Sequence, residues 1–422
     1  MKDKATILRG ERVLLLILAA VQFTTIVDFM VIMPLGPQLK RDLGLTPAGF
    51  GWVVSSYTFT AGVAGILATM FIDRFARRPA FLTIFAAFLV GTAACGMASS
   101  FVALVAARSL TGMFGGILGG LAMAIVGDVF PEERRGTATG VLMSAFALAS
   151  VAGVPLGLLL GLHYGWQAPF LALAAFGVPL LIIGARALPR LDAHLSHEDA
   201  EQAFARLWST FAEPNHLRAF ALTTSLMIGG FAVFPYLSPF LVSNVGVTEA
   251  QLPLVYVMGG LLSLVGSPLV GRLADRYGKL RVFQWVVPVN AALLLSVTLL
   301  PPVPLIVAVG LTGALMLSNA GRMVPAMAMI TSSVEPRRRG GFLGANSAVQ
   351  HVAAGVGTSL AGLMLSQSAD GRLLHYGRVG FIAAGITLAS LWLAARVRIV
   401  RPEEDIPVAD TLIAAEVAVD VG

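Results

Sequence analysis

The sequence predicts an all-α membrane protein of twelve transmembrane helices, built as two duplicated halves. Three observations carry this expectation. Of 422 residues, 57% are apolar and only 12% charged, with a mean hydropathy of +0.82, whereas a soluble domain carries roughly 25% charged residues. Apolar runs of the roughly 20 residues needed to cross about 30 Å of hydrocarbon occur twelve times. Two basic loops also recur: FIDRFARR at Phe71 to Arg78 with GRLADRYGKLR at Gly271 to Arg281, and PEERRG at Pro131 to Gly136 with EPRRRG at Glu335 to Gly340. Asp73 and Asp275 are 202 residues apart, and Arg135 and Arg339 are 204 apart. Two matching intervals in so apolar a chain imply duplication, and membrane transporters are the class that builds its working parts from such repeats.

The runs lie at 13–36, 50–72, 79–98, 101–127, 138–162, 167–188, 217–242, 250–272, 282–300, 304–331, 342–365 and 379–396. The first follows Lys2, Lys4, Arg9 and Arg12, as a signal peptide would. It is too long for one and lacks a small-residue cleavage site, so it is expected to stay as a helix. The second run ends at the first basic loop. The fourth carries Gly112, Gly116 and Gly120, and the fifth carries Gly153, Gly157 and Gly161; glycine at this spacing lets helix backbones approach closely in lipid. Pro34, Pro155, Pro235, Pro268 and Pro325 remove backbone hydrogen bonds within or near spans and permit bends. Between the sixth and seventh runs lies the one long internal connection, whose stretch 197–211 sets Ala200, Phe204, Leu207 and Phe211 at helical spacing. The expected organisation is a helical half over 1–188, a surface linker over 189–216, a second half over 217–400 and a disordered tail over 401–422, which carries six acids.

With a cytosolic amino terminus, 23 of the 29 Lys and Arg fall in cytosolic segments. Lys40, Arg41, Arg372 and Arg378 are external, and Arg108 and Arg322 lie inside spans. Short cytosolic loops retain Lys and Arg, so both termini are expected inside. A pI of 9.8 raises the question of nucleic acid, but the basic residues sit in short clusters between spans, not on one patch. The single cysteine, Cys95, excludes an internal disulfide and a Cys-rich metal site. With no Walker A loop, HExxH, GxSxG or metal-ligand spacing, neither enzymatic chemistry nor a cofactor or metal is expected, and ATP is not the direct energy source.

The basic loops resemble the major facilitator superfamily, whose signature after the second helix is approximately G-x-x-x-D-R-x-G-R-R, with a weaker copy after the eighth. The second copy here keeps Gly271, Asp275, Arg276, Gly278 and Lys279; the first keeps Asp73, Arg74, Arg77 and Arg78, with Thr69 and Ala76 at glycine positions. RSLTG from Arg108 is similar to the family's fourth-helix R-x-x-x-G, and AGVPLG from Ala152 is a variant of the antiporter motif in helix five. The resemblance covers all twelve spans and implies two six-helix bundles around a central cavity that opens alternately to each side. It also implies inter-helix charge contacts at Asp73 and Asp275, a hinge at Gly153, Pro155 and Gly157, a bacterial inner-membrane location, a working monomer, and proton-coupled efflux of small organic compounds. Proton-coupled uptake of a sugar or organic anion stays open beside efflux.

Charges inside spans are costly and usually line a cavity or relay protons. At 1.5 Å per residue, Asp28 and Arg108 both sit roughly 10 Å below the external surface and share a depth. A carboxyl caught between desolvation and a nearby arginine changes protonation as its exposure changes, which makes Asp28 the candidate proton-coupling site and Arg108 its modulator, with Thr24 and Thr25 as candidate hydrogen-bond donors. The alternative is a permanent ion pair locking the first and fourth helices. Arg322 in the tenth span and His351 in the eleventh share a depth, with Asn319 in the same span as the first and Asn346 and Gln350 in the same span as the second. Together they offer a cation, amides and an imidazole for a polar or anionic substrate group. Tyr57 and Tyr236 are candidate cavity residues.

Overall fold

The computed structural model describes residues 9–189, 205, 208–335 and 338–400. Most of the 189–215 connection with its amphipathic stretch, the 401–422 tail and the side chain of Asp73 lie outside the described residues. The first half contains α1 (Arg9–Val31), α2 (Gly36–Leu43), α3 (Pro47–Phe71), α4 (Arg77–Met97), α5 (Phe101–Val129), α6 (Glu132–Leu148), α7 (Val154–Tyr164) and α8 (Ala168–Ala187). The second contains α9 (Pro214–Phe231), α10 (Phe234–Phe240), α11 (Leu252–Tyr277), α12 (Lys279–Thr298), α13 (Leu305–Ser332), α14 (Arg339–Met364) and α15 (Tyr376–Arg396). Among the described residues, eleven helices are long and apolar enough to cross a membrane. The twelfth expected crossing is α14, 26 residues long; Asn346, Gln350, His351 and Thr358 dilute its apolarity.

Two spans are broken where proline interrupts the backbone ladder. A π-helical turn at Ala149–Gly153 joins α6 to α7 just before Pro155, because proline offers no N–H and its ring crowds the preceding turn. Pro235 and Pro239 likewise sit in α10, which a second π-helical turn, Leu241–Val245, follows. The glycine stripe of the fifth span is a docking groove. Side chains of Val27, Val31 and Leu35 fill the places that a Cβ on Gly153, Gly157 and Gly161 would take, with Val31 and Leu35 each 2.6 Å from such a Cβ. Matching four-residue spacings on both helices produce this fit.

One apolar core draws residues from both halves, from Val27 and Phe50 to Tyr236, Leu252 and Ala383. Two smaller cores belong to one half each, the first spanning Leu14 to Leu188 and the second Ala219 to Ala394. The shared core includes Leu35, Leu39 and Leu45 around the turn that joins the first two spans, whereas the separate cores hold Phe130, Leu188 and Val334 beside the basic loops. The halves therefore share a core at the end opposite the basic loops, while towards the loops they still meet between α3 and α14, where Thr69 lies 3.1 Å from the place of a Gly344 Cβ.

The signature loops end in matching contacts of different chemistry. Arg77 Nε donates to Asp128 Oδ2 at 2.9 Å, and Lys279 Nζ donates to Ser332 Oγ at 3.2 Å. Lys279 follows Arg77 by 202 residues and Ser332 follows Asp128 by 204, so an ion pair of one half is a neutral acceptor contact in the other. Arg78 bonds the carbonyl of Ala185, and Arg134 pairs with Glu11 at 2.6 Å. The charge contact expected of Asp275 is corrected: Asp275 and Arg276 are exposed, and among the described residues Asp275 forms no ion pair. Gly271 rests loosely beside Val324. Gly278 has φ +93° at the junction of α11 and α12, a conformation that glycine alone adopts at little cost.

The chain also has a small hairpin that the helical reading did not include: β1 (Ser366–Gln367) pairs antiparallel with β2 (Leu373–Leu374) between α14 and α15. Asn244 clamps it, donating to Leu373 O at 3.0 Å and accepting from Leu373 N at 2.9 Å.

Candidate functional site

Asp28 and Arg108 meet. Arg108 Nη1 lies 2.8 Å from Asp28 Oδ2 and donates to the Asp28 carbonyl at 3.2 Å, with both side chains wholly buried. Thr92 of α4 donates to the other carboxylate oxygen at 3.1 Å. The expected donors, Thr24 and Thr25, are corrected: their hydroxyls donate to Ala20 O and Gln22 O of their own helix, the usual way a helical threonine satisfies itself. Thr92 escaped sequence reading because a lone hydroxyl in an apolar run signals nothing until the fold brings it to an acid.

Tyr57 is 3% exposed, and its ring lies 4.5 Å from Arg108 Cζ. It caps the guanidinium by cation–π contact, a favourable way to bury a cation. Gly112 makes this possible, since a Cβ there would run into the Tyr57 backbone. Phe29, next to Asp28, lies 5.3 Å from Tyr57 and 5.9 Å from Phe231 of α9. The ion pair is thus joined through three rings to the opposite half.

Arg322 is 1% exposed. Its Nε and Nη2 donate to Asn319 Oδ1 at 3.1 and 2.8 Å, Nη2 to Leu226 O at 3.0 Å, and Nη1 to Thr387 Oγ1 at 3.0 Å. All three acceptors are neutral, and among the described residues Arg322 has no ion-pair partner. The expected partners on α14 are not beside it. Asn346 accepts from Thr223 at 2.7 Å and leaves its buried Nδ2 without a bond, Gln350 reaches Met327 Sδ at 3.9 Å, and His351 is half-buried on the same helix. Thr223 and Leu226 of α9 stand between, so this polar group is bridged by the seventh span.

Tyr236 lies where the halves meet, at the end away from the basic loops. Its hydroxyl donates to Thr358 O at 2.9 Å and Pro47 O at 3.4 Å, and its ring meets Phe50 edge-on at 5.8 Å. Further out, Arg41 pairs with Glu249 at 2.6 Å and Lys40 donates to Gly371 O at 3.4 Å. Glu249 raises the Arg41 pKa above its ordinary value, and burial lowers that of Lys40.

The family model for the Major Facilitator Superfamily matches residues 18–324 and 220–414. The chain belongs to the major facilitator superfamily. Among its relatives, the MFS-type transporter YceJ of Bacillus subtilis is 26% identical over 376 residues, covering 89% of this chain and 93% of that one. The inner membrane transport protein YdhP of Escherichia coli K12 is 26% identical over 375 residues, covering 86% and 91%. A chloramphenicol resistance protein of Streptomyces lividans is 28% identical over 240 residues, covering 57% and 61%. The fold is shared with a bacterial homolog of the human lysosomal transporter Spinster, with a TM-score of 0.70, 16% identity and 92% and 95% coverage. This superfamily member is a multi-pass membrane transporter with the major facilitator fold.

Proposed function

We propose that the chain is a proton-coupled antiporter that exports small organic compounds across a bacterial inner membrane, as a monomer with both termini in the cytosol, by alternating access. The carrying observation is the fully buried Asp28–Arg108 pair, joined through Tyr57 and Phe29 to the opposite half. A proton on Asp28 removes the carboxylate against which the Arg108 charge is set and weakens the tie between α1 and α5. Its loss restores that tie. Phe29 delivers the change to Phe231, so protonation biases how the halves meet. The π-helical turn before Pro155 serves as the hinge: Ser150 O lies 2.9 Å from where a Gly260 Cβ would stand, so this turn touches the opposite half. Asp73, Arg74, Arg77, Arg78, Asp275 and Arg276 guard the face that carries the basic loops.

Arg322, with Asn319 and, across α9, Asn346, Gln350 and His351, receives a polar or anionic part of the substrate. A buried cation among neutral acceptors favours an anion that brings its own charge. The names of the two relatives, an inner membrane transport protein and a chloramphenicol resistance protein, support the location and the outward direction. The test is exchange in liposomes under an imposed pH gradient, with chloramphenicol as first probe and sugars and organic acids beside it. Asp28→Asn is expected to abolish the pH-driven component; undiminished coupling in that variant would remove Asp28 from the role. Accumulation of solute in the direction of proton flow would identify an uptake symporter.

A further inference from the structure

The segment after α15 does not simply leave the membrane. Asn215, in the first turn of α9, donates to Arg398 O at 2.9 Å and to Ser333 O at 2.8 Å, and its Oδ1 accepts from Arg398 N at 3.0 Å. Val400 N donates to Ser332 O at 2.9 Å. Residues 397–400 are thereby stapled across the ends of α9 and α13. This staple fixes Arg398 beside Arg396 and Arg218, and the three line a concavity of about 370 Å³.

Three arginines gathered at one cavity repel one another, and among the described residues none of them has an acidic partner. Arg396 is held 3.6 Å from the Trp392 ring. Apolar side chains on the same segments are exposed: Trp392, packed on Arg396, is 58% exposed, Ile399, next to Arg398, 59% and Leu217, next to Arg218, 49%. An exposed indole and aliphatic groups beside clustered guanidinium groups, at the end of a spanning helix, match the boundary between acyl chains and headgroups. Arginine binds phosphate in a fork geometry, and basic pockets at the cytosolic ends of spans take anionic headgroups.

We propose that the concavity formed by Arg218, Arg396 and Arg398 binds the phosphodiester headgroup of an anionic membrane phospholipid, with its acyl chains lying along Leu217 and Trp392. The same staple reaches Ser332, whose hydroxyl holds Lys279 of the second signature loop. Lipid at this site therefore steadies that loop against α13.

The test is native mass spectrometry of the full chain in detergent, titrated with phosphatidylglycerol and, separately, phosphatidylcholine. Wild type is expected to retain one phosphatidylglycerol in preference to phosphatidylcholine. Arg218→Gln with Arg396→Gln and Arg398→Gln is expected to weaken that binding about a hundredfold, and Arg398→Gln alone about fivefold. The single variant keeps the staple, which uses only backbone atoms of Arg398, and so guards against a misfolded triple variant. A control carrying Arg186→Gln and Arg281→Gln should bind as wild type. Equal retention of both lipids by wild type, an unaltered triple variant, or an equal loss in the control would overturn the proposal. Displacement of the lipid by millimolar inorganic phosphate would mark a free-anion site instead and overturn it too.

Discussion

The contact at Tyr236 offers a quantitative test of the proposed alternating access, because one hydroxyl can be removed from it without disturbing the packing. Tyr236→Phe keeps the ring, its edge-on contact with Phe50 and its 1% exposure, and deletes only the bonds to Thr358 O and Pro47 O. Both carbonyls lie in helices, so the loss is confined to a bridging bond, worth about 0.5–1.5 kcal/mol net. In the open state that alternating access proposes, water replaces that bond. On that reading the variant penalises the closed state alone, and its population relative to the open state should fall about 2- to 13-fold. Spin labels on cysteines replacing Asp42 and Ala250, both exposed, in a Cys95→Ala background report the gap across this contact. The expected outcome is growth of a long-distance population in Tyr236→Phe. Gly51→Ala should enlarge it further, since the new Cβ would strike the Tyr236 hydroxyl. An unchanged distance distribution in both variants would refute the assignment of Tyr236 to a closure that opens.

Three other perturbations test the remaining contacts. Asp28→Asn leaves Arg108 buried without its counter-charge and should cost about 3–5 kcal/mol of stability, most of it recovered when Arg108→Gln is added, as a double-mutant cycle on thermal unfolding in detergent would register. Gly157→Val overpacks the groove that receives Val31 and should destabilise by about 1–3 kcal/mol, while Gly120→Ala, which meets nothing within 4 Å, should be neutral. Arg322→Gln removes the buried cation and should weaken binding of anionic solutes while sparing neutral ones, measured by equilibrium binding to the purified chain.

The fold was legible because lipid imposes simple rules. Length of apolar run, spacing of glycine and position of Lys and Arg are one-dimensional signals, and they gave the spans, the close-packing stripe of the fifth span and the duplicated loops, though not that α1 fills that stripe. The Asp28–Arg108 pair was legible for the same reason: equal depth follows from counting residues along a helix. Equal depth does not say which way a side chain turns, and there the reading failed. Arg322 and His351 share a counted depth, yet Arg322 turns to Leu226 O and Asn346 to Thr223, both on α9, whose charge, Arg218, sits near its start. Arg41 and Glu249, 208 residues apart, carry no sequence sign of pairing. The seal at Tyr236 depends on Gly51 and Gly362 making room for a hydroxyl, a three-body fit that no single residue announces.

The paired loops show what duplication preserved and what it released. Position by position, Arg77 with Asp128 and Lys279 with Ser332 occupy equivalent places, so the backbone geometry of a loop held to the end of a neighbouring helix was kept in both halves. The charge was not. In the first half the contact is an ion pair, and the buried Arg108 has its own carboxylate; in the second the acceptor is a neutral hydroxyl, and the buried Arg322 rests on an amide, a carbonyl and a second hydroxyl. Neutral acceptors satisfy donors without cancelling charge, so the second half holds a positive field at mid-membrane that the first has neutralised internally. A cancelled pair is suited to the proposed coupling because a proton on Asp28 would leave Arg108 uncompensated and so shift the balance between states, and an uncancelled cation held by neutral acceptors is suited to meet a solute that brings the missing charge. Moving a carboxylate into the second half, with Thr387→Asp beside Arg322, should therefore depress binding of anionic solutes while leaving the pH response of the Asp28 site in place. If both fell together, the two halves would not divide the work in this way.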